Sequence, residues 1–322
     1  MNRLWRDKRV AMTTKAKSMA RNKPKVAVRK VGWYLSPTYD FIAKGILGAI
    51  HNLKNITIPF LMSVLDIPEG EYINLRVVNP EMPKRTVDGK FVVLDILLET
   101  TSHGTIHIEI QVKPIPHPWE RLVEYSALNF ASQLYGGDDY EYVKRVISIL
   151  IYTDGIMIDK DDHFFHCGRI HDRFTKEELT ALEEHNIIEL KKLDKASEEE
   201  MKSALYKWAR FFNAKTETEL EAVAKEDPAI ADAFEVLKVL SEDKNMQKMA
   251  EVTERNRRYI ADQLWGAEQK GIGIGEQRGA EKTAINTIKL LNLTDPDMVV
   301  SIGEGAITRQ RAVELIRQYA QK

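Results

Sequence analysis

The stretch FVVLDILLETTSHGTIHIEIQVK, residues 91–113, constrains the fold of this chain more than any other. Val92, Val93, Leu94, Ile96, Leu97 and Leu98 surround one acid, Asp95; after Ser102, His103 and Gly104 the chain resumes as an alternating run from Ile106 to Val112. Two apolar runs of strand length around a short polar break form a β-hairpin pattern. Strand side chains alternate between faces, so Ile108, Ile110 and Val112 share one face and Glu109, Gln111 and Lys113 the other. The pattern therefore predicts one core face and one wet face. In-register pairing brings Asp95 toward Glu109, and two carboxylates at one mouth of a sheet suit a hard divalent cation. An acid buried in an apolar strand requires compensation, and a metal ion, a capped loop end or an Arg such as Arg121 would each provide it.

The flanking elements extend the hairpin into a larger sheet. Ser36, Pro37 and Thr38 are helix-start residues, followed by Phe41, Ile42, Ile46 and Ala49 at helical spacing. Asp40 falls in the first turn and Lys44 one turn later, which an ordinary intrahelical pair also explains. Residues 71–78 read as a first strand, and the Asp88-Gly89 pair marks the turn into the second. After Pro114, Pro116 and Pro118, residues 119–134 are helical in pattern, and RVISILIY at 145–152 reads as a buried strand. The order helix, three strands, helix, strand gives an α/β architecture: a mixed sheet with helices on its faces. A further short strand is expected at Ile187–Leu190.

The residues that carry this order resemble the PD-(D/E)XK nuclease superfamily, and within it the recombination-promoting nuclease or transposase family. They are Ser36, Pro37, Asp40, Phe41 and Lys44; Asp88, Gly89 and Lys90; Asp95; Ile108 to Gln111; Arg121, Tyr125, Gln133, Gly137 and Tyr140; and Ile187 to Leu193. The resemblance spans about half the chain and implies a restriction-endonuclease-like core that hydrolyses DNA phosphodiesters with Mg²⁺ or Mn²⁺. It makes Asp95 and Glu109 the metal ligands and Asp40 an outer carboxylate. Gln111 stands where the superfamily pattern has Lys; an amide orients water but carries no charge, so Lys44 or Lys113 would supply it. Arg121 and Tyr125, one helical turn apart, would contact the DNA backbone. The alternative is an inactive nuclease fold that binds DNA or a partner.

Charge and composition bound the remainder. Residues 1–30 hold eleven Lys or Arg against the single acid Asp7, although the whole chain carries a net charge of −1. Residues 1–35 thus read as a basic arm, solvated or tracking phosphates, with an organelle transit peptide a third reading. No run of about 18 apolar residues occurs, and no apolar stretch follows the basic N-terminus, so a spanning helix and a secretory signal are disfavoured and the cytoplasm is the default. His163, His166 and His171 surround the lone Cys167 but complete no paired-cysteine zinc pattern.

Five segments follow: the arm; a nuclease-like core at 36–195; amphipathic helices at 196–265, with one long helix from about Ala229 through Trp265; a Gly-rich linker or helix at 266–280; and a small helical module at 281–322. The last is expected to support homo-oligomerisation or docking more than DNA reading, because it lacks a dense basic face.

Overall fold

The computed structural model describes residues 27–65, 67, 72, 74–78, 81–82, 92–93, 96–100, 104–113, 115–134, 137, 139–303 and 306–320, residues 81–82 and 92–93 by backbone alone. Asp95, the Asp88-Gly89-Lys90 turn and the basic arm through residue 26 lie outside them. The chain divides into two compact units, Val28–Glu251 and a second that holds the residues from Val252 onward.

A six-stranded sheet organises the first unit. Its strands are β1 (Arg76–Val78), β2 (Ile96–Thr100), β3 (Gly104–Gln111), β4 (Val146–Tyr152), β5 (Phe165–His171) and β6 (Glu178–Glu189), laid side by side as β1-β2-β3-β4-β6-β5. β1, β2 and β3 are antiparallel, β4 and β6 run parallel to β3, and β5 returns antiparallel on the far edge. The expected hairpin is present, with Ile96 opposite Ile108 and Thr100 opposite Gly104. All seven residues of β4 are buried, in accord with its unbroken apolar run.

The far edge departs from the sequence expectation. In place of a short strand at Ile187–Leu190, β6 has twelve residues and pairs with a whole additional strand, β5. Glu183, Glu184 and His185 would normally argue against a strand. Glu184 is nonetheless buried, because Arg145 donates to it and Arg169 Nε lies 2.6 Å from its Oε2. A buried carboxylate is tolerated when charge-assisted bonds satisfy it.

One face of the sheet is apolar. Ile106, Ile108 and Ile110 of β3, Ile147, Ile149 and Ile151 of β4, and Ile188 of β6 join one core with α1 (Asp40–Leu47) and α2 (Ile58–Val64). Within α1, Gly45 lets another helix approach: a Cβ there would lie 2.7 Å from Leu240 Cδ1. The opposite face carries α3 (Pro118–Ser132), which starts on Pro118 and packs over β4.

Three capped helices complete the unit. α4 (Ala204–Asn213), α5 (Glu217–Ala224) and α6 (Pro228–Glu242) begin on Ser203, Thr216 and Asp227, whose side chains accept backbone N–H groups of the first turn. Trp208, Phe211 and Phe212 of α4 cluster with Phe60 of α2. The expected continuous helix from Ala229 is corrected, because it stops at Glu242. Asp243 then accepts from Asn245 N and Met246 N and starts α7 (Lys244–Leu291). That helix runs through Gly271, Gly275 and Gly279.

In the second unit, Ala284 and Ile288 of α7 pack with Val299 of α8 (Pro296–Ile302) and with Ala312 and Leu315 of α9 (Arg309–Tyr319). Thr308 caps α9 as its position suggests. Arg311 of α9 pairs with Glu281 of α7 through Nε at 2.9 Å and Nη2 at 3.1 Å. These bonds hold the Glu281 carboxyl below its usual range.

Gly104 opens β3 at φ 75°, and a Cβ there would lie 2.1 Å from the Arg145 carbonyl oxygen. Gly104→Ala should therefore lower stability by roughly 2–4 kcal/mol, from left-handed strain and a backbone clash together, as read from urea denaturation.

Candidate active site

The second face of β3 is where structure and sequence expectation diverge most. Alternation puts Thr105, His107, Glu109 and Gln111 on that face, but it is not wet: His107 is 2% exposed and Glu109 6%. α3 covers it. Parallel register sets His107 beside Ser148 of β4 and His185 of β6, and Ser126 Oγ of α3 lies 3.2 Å from Ser148 Oγ. A polar layer is thus enclosed between helix and sheet.

Glu109 is the charged centre of this layer. Arg121 of α3 places Nη2 2.8 Å from Glu109 Oε1, which neutralises a carboxylate that burial would otherwise penalise. The Arg121 side chain is 41% exposed against 7% for that of Glu109, so the pair joins an open flank to a closed interior. His107 Nε2 stands 3.8 Å from Glu109 Oε2, too far for a hydrogen bond. Burial, reinforced by the Arg121 charge, pushes the His107 imidazole down to about 3. It is neutral at ordinary pH and contributes no ion pair.

A pocket opens beside this pair, lined by Glu109, Gln111, Pro118, Arg121, Leu122 and Tyr152 among others. Gln111 Nε2 donates to the Lys113 carbonyl at 2.7 Å, a bond that leaves the amide oxygen as its acceptor. Register continues this end of the sheet from Gln111 to Tyr152 and on to Glu189. Glu189 and Lys192 are both buried; Lys192 Nζ lies 2.8 Å from Glu189 Oε2 and 2.5 Å from the Ile158 carbonyl. Met157 N also donates to Glu189, so these two residues fasten the loop after β4 to the sheet.

The candidates named from sequence are divided by this geometry. Glu109, Gln111 and Arg121 meet at one pocket. Asp40 and Lys44 sit on α1, which packs on the opposite, isoleucine face. Lys113 does not continue the Glu109 face, because β3 ends at Gln111 and Lys113 lies exposed in a bend. Tyr125 is corrected from a DNA-facing residue to a buried one, 6% exposed, its ring edge-on to His107 at 5.5 Å and packed on Leu97. Asp95 lies outside the described residues. The sequence assigns no role to His107, Tyr152 or the Glu189–Lys192 pair, although His107 lies two residues before Glu109 and so on the same strand face, and Glu189 and Lys192 fall in the stretch Ile187 to Leu193 that resembles the family.

The sequence matches the PD-(D/E)XK nuclease family transposases over residues 37–265. The chain belongs to that family. No curated protein and no solved structure matches it. The family is a nuclease family, and the mixed sheet flanked by helices is consistent with its α/β fold.

Members of the PD-(D/E)XK superfamily bind divalent metal, so the pocket can be tested for fit. Among the described residues no group of three or more His, Cys, Asp or Glu is arranged to hold a metal ion. This includes the His163, His166 and His171 region, where His163 faces Glu200 and His171 the Lys176 carbonyl. Glu109 nonetheless has the donor chemistry of a hard cation site: an oxygen ligand at a pocket, already drawing a positive group to its Oε1. The residues fit. No helix among the described residues is long and apolar enough to cross a membrane.

Because His107 is buried neutral and its folded pKa lies below the ordinary value near 6.5, protonation favours the unfolded chain. The metal-free protein should lose stability as pH falls from about 6.5 toward 3, with a slope that reaches about 1.4 kcal/mol per pH unit from this group. Urea titrations across that range should show a shallower slope for His107→Gln than for wild type.

Proposed function

We propose that this protein is a Mg²⁺-dependent DNA endonuclease acting in the cytoplasm on recombining or mobile DNA. The observation that carries the reading is the buried carboxylate of Glu109, which shares an open pocket with Gln111 and Arg121 in a chain of a nuclease family. Asp95 is the proposed second ligand. The last described pair of the hairpin is Ile96 with Ile108, and in the sequence Asp95 precedes Ile96 while Glu109 follows Ile108.

When bound, the divalent cation supplies a water of lowered pKa and positive charge for the phosphate. The chain's own residues do the rest. Glu109, held by the sheet and covered by α3, is pre-positioned as a ligand without reorganisation. Gln111 orients water through its amide and takes no proton. Arg121, with an exposed flank and a planar fork of donors, binds a backbone phosphate. The basic arm adds sequence-blind affinity that falls with salt, and the helices after Gly279 contribute self-association.

The Arg121–Glu109 pair also favours a second reading, a nuclease fold that binds DNA without cutting it, since a neutralised carboxylate is a stable structural feature by itself. Plasmid nicking separates the two. Wild-type protein should relax supercoiled DNA with Mg²⁺ or Mn²⁺ and not with EDTA. Asp95→Ala and Glu109→Ala should each lower the rate at least about 100-fold, as loss of a metal ligand does, while DNA binding persists. Absence of metal-dependent cleavage by wild type, with binding retained, would establish the second reading.

A further inference from the structure

Arg121 meets Glu109 in a way that leaves its guanidinium able to take a further partner. Arg121 Nη2 lies 2.8 Å from Glu109 Oε1. Arg121 Nε is buried and has no hydrogen-bond partner among the described residues, an unusual state for a guanidinium, which normally uses its fork. The guanidinium carbon stands 5.1 Å from the centre of the Tyr125 ring, and Tyr125 is itself fixed by packing against His107 and Leu97. The cationic head is therefore held at the pocket by the Tyr125 ring and the Glu109 carboxylate. Glu109 is rigid in the sheet; Arg121 is the mobile partner, because its side chain is 41% exposed and long.

We infer that Arg121 is an exchangeable counter-ion: it neutralises Glu109 in the resting protein and transfers to a DNA phosphate when a divalent cation takes its place. This rests on the metal reading of Glu109 proposed above. A divalent cation bound at Glu109 Oε1 would repel the neighbouring guanidinium and weaken its hold on the carboxylate. A phosphate at the same pocket offers the displaced fork two oxygens, including one for the Nε that now lacks a partner. Metal and DNA then assist each other through Arg121, since each removes a cost that the other would bear. The pair also lets the pocket fold without an uncompensated buried charge.

The exchange makes a prediction opposite to that of a supporting residue. Mn²⁺ binding to the full chain without DNA can be followed by loss of the free-ion electron paramagnetic resonance signal. Arg121→Met removes the competitor and should tighten Mn²⁺ binding about tenfold, within the usual range for coupled sites. Arg121→Lys keeps the charge and should stay within about twofold of wild type, and Glu109→Gln should abolish the site. Duplex DNA affinity in Ca²⁺, read by fluorescence anisotropy, should fall in Arg121→Met. Unchanged or weaker Mn²⁺ binding in Arg121→Met, alongside loss in Glu109→Gln, would overturn the exchange and leave the metal site standing. Unaltered Mn²⁺ binding in Glu109→Gln would overturn both.

Discussion

A single carboxylate buried between a sheet and a helix sets the terms for the rest of this molecule. Glu109 cannot remain charged at 6% exposure without a cation near it, and Arg121 of α3 supplies one at 2.8 Å. That pairing requires α3 to lie across β3 and β4, which in turn requires the helix to begin at Pro118, seven residues after the strand ends. The helix encloses His107, Ser148 and Tyr125 in the same layer, so the chemistry of the pocket and the packing of the second face depend on the same contact.

The two faces of the sheet divide the work of the fold. Isoleucines from three strands, with the helices packed over them, bury continuous apolar surface and supply most of the stabilisation, as burial of this kind does. The face under α3 gives up some of that in exchange for polar groups, and several of them lack partners among the described residues: His107 Nε2, Arg121 Nε, Asn129 Nδ2 and His185 Nδ1. Each such group calls for a physical explanation, and for Arg121 Nε the pocket beside Glu109 supplies one. Elsewhere buried charges are paired, as with Glu184 between Arg145 and Arg169, and Glu189 with Lys192, although Arg145 Nε and Glu189 Oε2 also lack a hydrogen-bond partner among the described residues.

Much of this arrangement was legible in the sequence, and the parts that were not share a cause. β3 and β4 declared themselves through alternation and an unbroken apolar run, and the family residues Glu109, Gln111 and Arg121 converge on one pocket. Burial of the Glu109 face was not legible, because alternation separates the faces of a strand but does not show which one a later helix covers. For the same reason Tyr125 read as a surface residue. β5 and the start of β6 were hidden by their charge, which long-range partners such as Arg145 offset. α7 passes through glycines that lower helix propensity by about 1 kcal/mol each, a local penalty that its other residues outweigh. Asp243 read as one more charge on a helix, whereas its side chain caps the next one.

The central claim is that Glu109 is a metal ligand and not only the anchor of a salt bridge. Anomalous scattering from crystals of the wild-type protein grown with Mn²⁺ tests it most directly. The account predicts a peak within about 2.0–2.4 Å of a Glu109 carboxylate oxygen, with Asp95 on the same ion and the Arg121 guanidinium withdrawn from Oε1. Mn²⁺ found elsewhere on the protein, with Arg121 still bonded to Glu109 and no peak beside it, would contradict the account.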